Sequence, residues 1–325
     1  MSTRFPDADT VRTVLELAIR APSIYNTQPW KWRVEPTSLH LYSDSSMQLP
    51  NADPDGRDLL VSCGATLHHC VIALAAMGWR AEVRRFPDPS DPEHLAAVEV
   101  TEDEPDADSI TLAAAIPRRR TDRRTYSHWP VEADGIAAVG AAGTRPGVIM
   151  RQVDAMEKLN KIVKQAARDH AVNYDYLVEV TMWSGRYGSR AGVPSRNTPE
   201  SDAHAPVPGR RFASAGLEQP KGVSAADDHA VVLALGTETD DRPAALCAGE
   251  ATSAVLLTAT AMGLATCPIT EPLEIPATRD AIRTEVFGAD AFPQMLLRIG
   301  WAPVNADPLP PTPRRSLERA VHWSE

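Results

Sequence analysis

Residues 20–30 read Arg20-Ala21-Pro22-Ser23-Ile24-Tyr25-Asn26-Thr27-Gln28-Pro29-Trp30. Pro22 and Pro29 lack an amide donor and push the residue before each toward extended backbone, so a helix reaching this stretch must stop here. One does reach it. Thr10 to Arg20 spaces Val11, Val14, Leu15, Leu17, Ala18 and Ile19 along a helical face, behind acidic and Thr residues able to cap the first turn. Beyond the turn, Trp30 to Val34 and Leu39 to Tyr42 alternate like two short strands. The turn itself is polar. Ser23, Asn26, Thr27 and Gln28 offer donors and acceptors beside the rings of Tyr25 and Trp30, a set that can match the edge of a planar heterocycle while apolar neighbours cover its face. Residue chemistry alone leaves a second reading open, a well-packed helix-to-strand turn with no ligand.

Further along, Gly56 to Gly78 predicts a helix with a broad apolar face, followed by strands at Ala81 to Phe86 and Leu95 to Val100. Thr101 to Ser109 is acidic and weakly apolar, and the chemistry changes abruptly at Ile116-Pro117-Arg118-Arg119-Arg120-Thr121-Asp122-Arg123-Arg124. A domain boundary falls there, dividing the chain into residues 1–115 and 116–325. The second part predicts a long helix over Ala155 to Tyr176, a strand at Ala230 to Gly236, a helix over Ala245 to Gly263, and strands at Ala265 to Ile269 and Gln294 to Trp301. The two parts repeat weakly. Gly64 through Met77-Gly78 and Gly249 through Met262-Gly263 each run as a small-residue helix that closes on Ala-Met-Gly and leads into a strand. Shared ancestry of the halves would make one chain imitate a two-fold dimer. Tyr187 to Asp227, rich in Gly, Pro, Ser and charge, far exceeds an ordinary connection of ~4–6 residues and is expected to form a lid-like insertion.

Composition removes several function classes. The chain has 325 residues, 43 Asp plus Glu against 33 Lys plus Arg, and a formal net charge of -10, which repels nucleic acid and anionic lipid over most of its surface. The start lacks a cationic segment followed by an apolar core, and the most apolar window, Ala251 to Ala265, is short of the ~20 residues that span a bilayer. A cytoplasmic protein is expected. Cys63, Cys70, Cys247 and Cys267 have no C-x-x-C spacing, His68 adjoins His69 so the two point apart on a helix, and no H-E-x-x-H set occurs. Reduced thiols, a structural His68 and no metal site follow. Nor is there a G-x-G-x-x-G, G-x-S-x-G or P-loop motif, so a separate dinucleotide domain and a serine nucleophile are not expected.

The helix followed by A-P-S-x-x-N-T-Q-P-W at residues 21–30 resembles the flavin-site segment of the nitroreductase family. Together with the arginine cluster, A-M-G-L-A-T-C-P-I-T at 261–270 and Pro310 to Arg315, it looks like the actinobacterial Acg-type subgroup, and the resemblance covers nearly the whole chain. It implies an α+β fold with mostly antiparallel sheet between helices and FMN at an interface between two units. Here those units would be two tandem related halves forming an intrachain pseudo-dimer, and the protein a monomer. The resemblance implies that Ser23 and Asn26 meet the FMN. Arg119-Arg120-Thr121-Asp122-Arg123 resembles the family's R-x-S-x-[RK] phosphate and ribityl segment, so Arg119, Thr121 and Arg123 are carried over as cofactor-binding, with guanidinium forks suited to phosphate. Arg118 and Arg124 are expected to be surface charge.

Arg314 and Arg315 resemble a late basic contact to the same phosphate. Ile269 and Thr270 match the place where backbone groups approach the flavin, although Thr270-Glu271 departs from the more usual Glu-Gly pair. The implied function is NAD(P)H-dependent reduction of a nitroaromatic, quinone or similar acceptor, with the chemistry carried by FMN and no catalytic acid, base or metal named. Two alternatives stand beside it: a catalytically weak protein that sequesters flavin under a closed lid, and a degenerate fold that serves only as a protein partner. One flavin site is expected, because the first half has no arginine cluster like that at 118–124.

Overall fold

Two 20-residue helices organise the molecule, α2 (Arg57–Ala76) and α7 (Arg242–Ala261). Both are apolar nearly all round, and a helix without a polar face must be covered on every side. They cover each other. A Cβ on Gly64 would lie 2.0 Å from the Leu246 carbonyl oxygen, and one on Gly249 would lie 2.0 Å from that of Val61. Only glycine therefore allows the helices to touch backbone to backbone. By length and composition both could cross a membrane, and in the protein most of each is buried instead. The computed structural model describes every residue except 1–4, 186–188, 203, 220–223, 225–227, 304 and 325.

The first half supplies α1 (Ala8–Ala18), capped by Asp7 accepting from the Thr10 amide, then β1 (Trp30–Glu35), β2 (Ser38–Ser43), α2, β3 (Trp79–Arg85), β4 (His94–Glu102) and α3 (Ala107–Ala115). The second supplies α4 (Ala133–Gly143), β5 (Val148–Gln152), α5 (Met156–Ala171), α6 (Tyr174–Trp183), β6 (Val231–Thr237), α7, β7 (Ala265–Ile269), α8 (Pro276–Phe287), β8 (Phe292–Gly300), α9 (Leu317–Ala320) and β9 (Val321–Trp323). One sheet has the order β3-β4-β2-β1-β9 and the other β5-β6-β8-β7. All pairings are antiparallel except β9 on β1. The last strand thus crosses from the second half into the sheet of the first, with Trp32 opposite Val321.

The repeated Ala-Met-Gly endings behave alike. Gly78 and Gly263 both sit at φ +83°, the left-handed conformation that closes a helix, and each helix leads into an edge strand, β3 or β7. One expected element was wrong in kind. The single helix over Ala155 to Tyr176 is two, because Asn173 leaves helical geometry and its side chain caps α6 by accepting from the Tyr176 amide. α3, α4, β5 and α8 also lie outside the expected elements, and the acidic stretch Thr101 to Ser109 ends inside α3, capped by Asp106. The apolar window Ala251 to Ala265 runs past the end of the longer helix α7 at Ala261 and reaches the first residue of β7.

Candidate functional site

The turn that opened the sequence forms one wall of a cavity. Tyr25, Asn26 and Gln28 hold φ values of 44°, 56° and 54°, left-handed geometry that non-glycine residues adopt at a cost of order 1–3 kcal/mol each. The surroundings enforce it. Ser23 Oγ accepts from the Gln28 amide at 3.0 Å and Ser62 Oγ accepts from the Ile24 amide at 3.1 Å. Asn26 Nδ2 donates to the carbonyls of Gly192 and Pro313, and Gln28 Nε2 donates to that of Arg190. The Gln28 amide is therefore spent on the chain itself, as is Asn26 Nδ2, while Asn26 Oδ1 has no partner among the described residues. Asn26 stands behind the wall, whereas Ser23 lines the cavity with Pro22 and Tyr25.

The other walls come from distant segments: Asp58, Val61 and Ala65 of α2, Thr121 and Arg123 after α3, Cys267 to Glu271 at the end of β7, and Met295 and Arg298 of β8. Ser23, Thr121, Arg123, Ile269 and Thr270 are thus brought together across more than 200 residues of sequence. Val207 to Arg210 and Phe212 cover one side. They belong to the expected lid, of which residues 187–188, 203, 220–223 and 225–227 lie outside the described residues, as do Arg186 and Tyr187 at its opening.

Beside Arg123 lie Arg20, Arg119, Arg120 and Arg314, none of them ion-paired to a carboxylate among the described residues. Arg119 is 6% exposed, and its Nε and Nη1 have no hydrogen-bond partner among the described residues. Burial, with Arg120, Arg20 and Arg123 nearby, lowers its pKa to about 10. Arg314 is lowered to about 9 by burial and by Arg119, Arg20 and Arg120. Its guanidinium donates to the carbonyls of Ile19, Arg20 and Ala21, clamping the end of α1. Arg315 is elsewhere, its amide on Gln28 Oε1 at 2.8 Å and its Nη2 on Met47 Sδ. So many buried cations held together, with orphaned donors among them, call for an anion.

Arg124 corrects an expectation. It is 5% exposed, not surface charge, and grips Asp122 through Nη2 at 2.8 Å and Nε at 3.0 Å. Arg118 is exposed. His68 is structural as expected, its Nδ1 2.9 Å from Ser253 Oγ and its pKa lowered by burial to about 3, which keeps the ring neutral. The four cysteines are free thiols.

Opposite the arginines, Arg210 reaches in from the covering segment. It bonds Glu274 through Nη1 at 2.9 Å, Thr270 Oγ1 through Nη2 at 3.0 Å, and the hydroxyls of Tyr25 and Tyr176. Its guanidinium lies over the Tyr25 ring, 4.8 Å from the centroid. Burial alone would lower the Arg210 pKa, but Glu274 and the two hydroxyls raise it above the ordinary arginine range. Glu271, where the sequence departs from the family pattern, is 6% exposed and pairs with His170 at 3.4 Å. Sequence reasoning missed Arg210, Glu274, Tyr176 and Asp58. A charged Arg57-Asp58 pair inside an apolar helix was the one legible signal; Arg210 gave none within a segment rich in proline and charge.

The nitroreductase family pattern matches residues 116–301. A Mycobacterium tuberculosis (strain ATCC 25618 / H37Rv) protein named "Putative NAD(P)H nitroreductase Rv3131" is 65% identical over 325 residues, covering 100% of this chain and 94% of that protein. The chain belongs to the nitroreductase family. The same strain has a second relative, "Putative NAD(P)H nitroreductase acg", 35% identical over 97% of this chain and 96% of that protein. Among solved structures, the FMN-dependent nitroreductase NfnB of Mycobacterium smegmatis in complex with NADPH aligns with a TM-score of 0.41 and 20% identity, over 66% of this chain and 100% of that one. A Desulfitobacterium hafniense nitroreductase with bound FMN aligns with a TM-score of 0.42 and 12% identity, over 66% and 98%. Family membership agrees with the α+β fold and the oxidoreductase class that the motifs imply.

Proposed function

We propose that this nitroreductase binds one FMN in the cavity, accepts hydride from NAD(P)H and reduces a nitroaromatic, quinone or related acceptor. The observation that carries the reading is Arg123 on the cavity wall, with the buried and partly unpartnered Arg119 beside it. FMN would supply the transfer of two electrons as hydride. The protein's part is to hold and orient it. Arg119 and Arg123 hold the phosphate, with the Thr121 hydroxyl beside them. Ser23 and the Ile269-Thr270 backbone frame the ring. Asn26, Arg314 and Arg315 act at one remove, fixing the turn and the tail that bring Ser23 and the arginines into register.

The division into halves 1–115 and 116–325, each nitroreductase-like, is supported by the paired helices, the matching glycine endings and the two sheets, with the tail crossing over through β9. An interface of that kind within one chain supports a monomer, and four free cysteines support a cytoplasmic setting. A second reading, flavin sequestration under a closed lid, is favoured by Arg210. The space left in the cavity is about 130 Å³, below the ~300 Å³ of a small ligand pocket, so the covering segment must shift to admit a flavin.

Anaerobic mixing of FMN-loaded protein with NADPH or NADH separates the two. Bleaching of the flavin band, followed by its return on adding a quinone, is expected for the enzyme. Reduction by dithionite but by neither nicotinamide is the sequestering outcome. A chain that takes up no FMN would sink both.

A further inference from the structure

Asp58 is the second residue of α2, 2% exposed, on the wall of the flavin cavity. Its Oδ2 has no hydrogen-bond partner among the described residues, and its Oδ1 is met only by the Arg57 ion pair. Arg57 Nη2 lies 2.7 Å from Oδ1, while Arg57 Nη1 is committed to the Gln294 carbonyl. Behind Asp58, the Asp53 carboxyl accepts the backbone amides of Asp58 and Leu59 at 2.9 and 2.8 Å. Asp53 and Glu274 line a second cavity, on the far side, together with Asp55, Arg57 and Arg279. A partition of three carboxyls thus separates the two cavities.

The charged groups facing Asp58 are Arg57 on its own helix, Asp53 from the preceding loop, Glu274 after β7 and Arg210 from the covering segment. Burial dominates and raises the Asp58 pKa to about 8; Asp53 and Glu274 push the same way, and the two arginines oppose them. Asp53 is itself raised by burial, to about 6. Near neutral pH the partition therefore holds a neutral acid on the flavin side.

We propose that Asp58 is the proton donor of this cavity, delivering a proton to the oxygen of a bound quinone or nitro acceptor and refilled from water in the second cavity by way of Asp53 or Glu274. The inference rests on the flavin reading above. Its balance is simple: the acceptor takes two electrons and one hydrogen that originate in NAD(P)H, the Asp58 O–H bond breaks, a new O–H bond forms on the acceptor, and the carboxylate left behind regains its proton from solvent; a quinone leaves as the hydroquinone, whereas a nitro group breaks its N–O bond and leaves as the nitroso compound plus water.

The test pairs Asp58→Asn with Asp53→Asn. Infrared titration, which needs no flavin, should find in the wild type a protonated-carboxyl band that disappears around the pKa of about 8, and Asp58→Asn should lack it. Asp53→Asn keeps the Asp58 side chain and should shift that midpoint downward, since a negative neighbour is gone. The band surviving in Asp58→Asn, its absence from the wild type, or an unmoved midpoint in Asp53→Asn overturns the proposal. With FMN bound and reduced by NADPH, Asp58→Asn should slow a single turnover with a benzoquinone by ~10²-fold or more, the ordinary worth of a positioned acid, a far larger loss than any in the rate of flavin bleaching. Equal quinone rates overturn the delivery step. Failure of the wild type to bind FMN or to bleach sinks the flavin reading, and the infrared result still decides whether Asp58 holds the proton.

Discussion

Arg119 and Asp58 both carry the desolvation cost of a buried charge, and burial moves each toward its neutral form. Arg119 keeps its charge among other cations because an anion can complete it, and so Arg119→Ala or Arg123→Ala should weaken FMN retention by roughly 1.5–3 kcal/mol, the range for a hydrogen bond to a charged group. Equilibrium dialysis checks this, and unchanged dissociation constants in both variants would reject the phosphate assignment. At Asp58 burial, with Asp53 and Glu274 nearby, outweighs the Arg57 ion pair and raises the pKa. With a folded-state pKa of about 8 against an ordinary carboxyl value near ~3.9, its contribution to stability is full below about pH 4 and is lost as pH rises through about 8. Asp53, raised to about 6, has the same sign. Urea unfolding should therefore show stability falling across that window in the wild type, and falling less in Asp58→Asn. The arginine run was visible in the sequence as a change of chemistry. That Arg124 is consumed by Asp122 was not, since adjacency in sequence gives no sign of which guanidinium turns inward.

At the scale of elements, the contact of α2 with α7 is the most demanding. Gly64→Ala or Gly249→Ala would place a methyl group 2.0 Å from a backbone carbonyl, and neither helix has a flexible side chain there to move aside. Overpacking of this kind costs about 3 kcal/mol or more, so either variant should lose a large part of its stability in urea or fail to fold. A wild-type midpoint in both would mean that the helices do not meet as described. The covering segment makes a kinetic prediction. Arg210 ties it to Glu274 and Thr270, so Arg210→Ala should speed both uptake and release of FMN in stopped-flow fluorescence. Unaltered exchange rates would show that this clasp does not gate the cavity. Helix periods, prolines and the glycine endings made most elements legible. The break at Asn173 was not, because one capping asparagine interrupts an apolar period that otherwise continues.

For the whole molecule, aligning Gly64 with Gly249 sets Ala65, on the cavity wall, opposite Glu250, and Thr270 opposite Arg85. At that counterpart position Glu250 is held by Arg85 at 2.7 Å and by Arg145 at 3.4 Å. On the proposed pseudo-dimer this ion-paired cluster occupies the counterpart of the cavity wall, so a flavin-to-chain ratio of one is expected by absorbance, on a species of monomer mass by light scattering; a ratio of two would overturn the asymmetry. The amino-acid order by itself determined the helical and strand periods, the proline-bounded turn, the arginine cluster, the internal repeat and, through these, the family, because each is a property of neighbouring residues or of motifs in series. Tertiary structure alone decided that Asn26 Nδ2 and the Gln28 amide are spent on the chain, that Arg210 enters the cavity, that β9 joins the other half's sheet, and that Asp58 is backed by Asp53 and Glu274. Those groups are far apart along the chain, and their charge states and partners are set by the desolvation and close packing that exist only once it has folded.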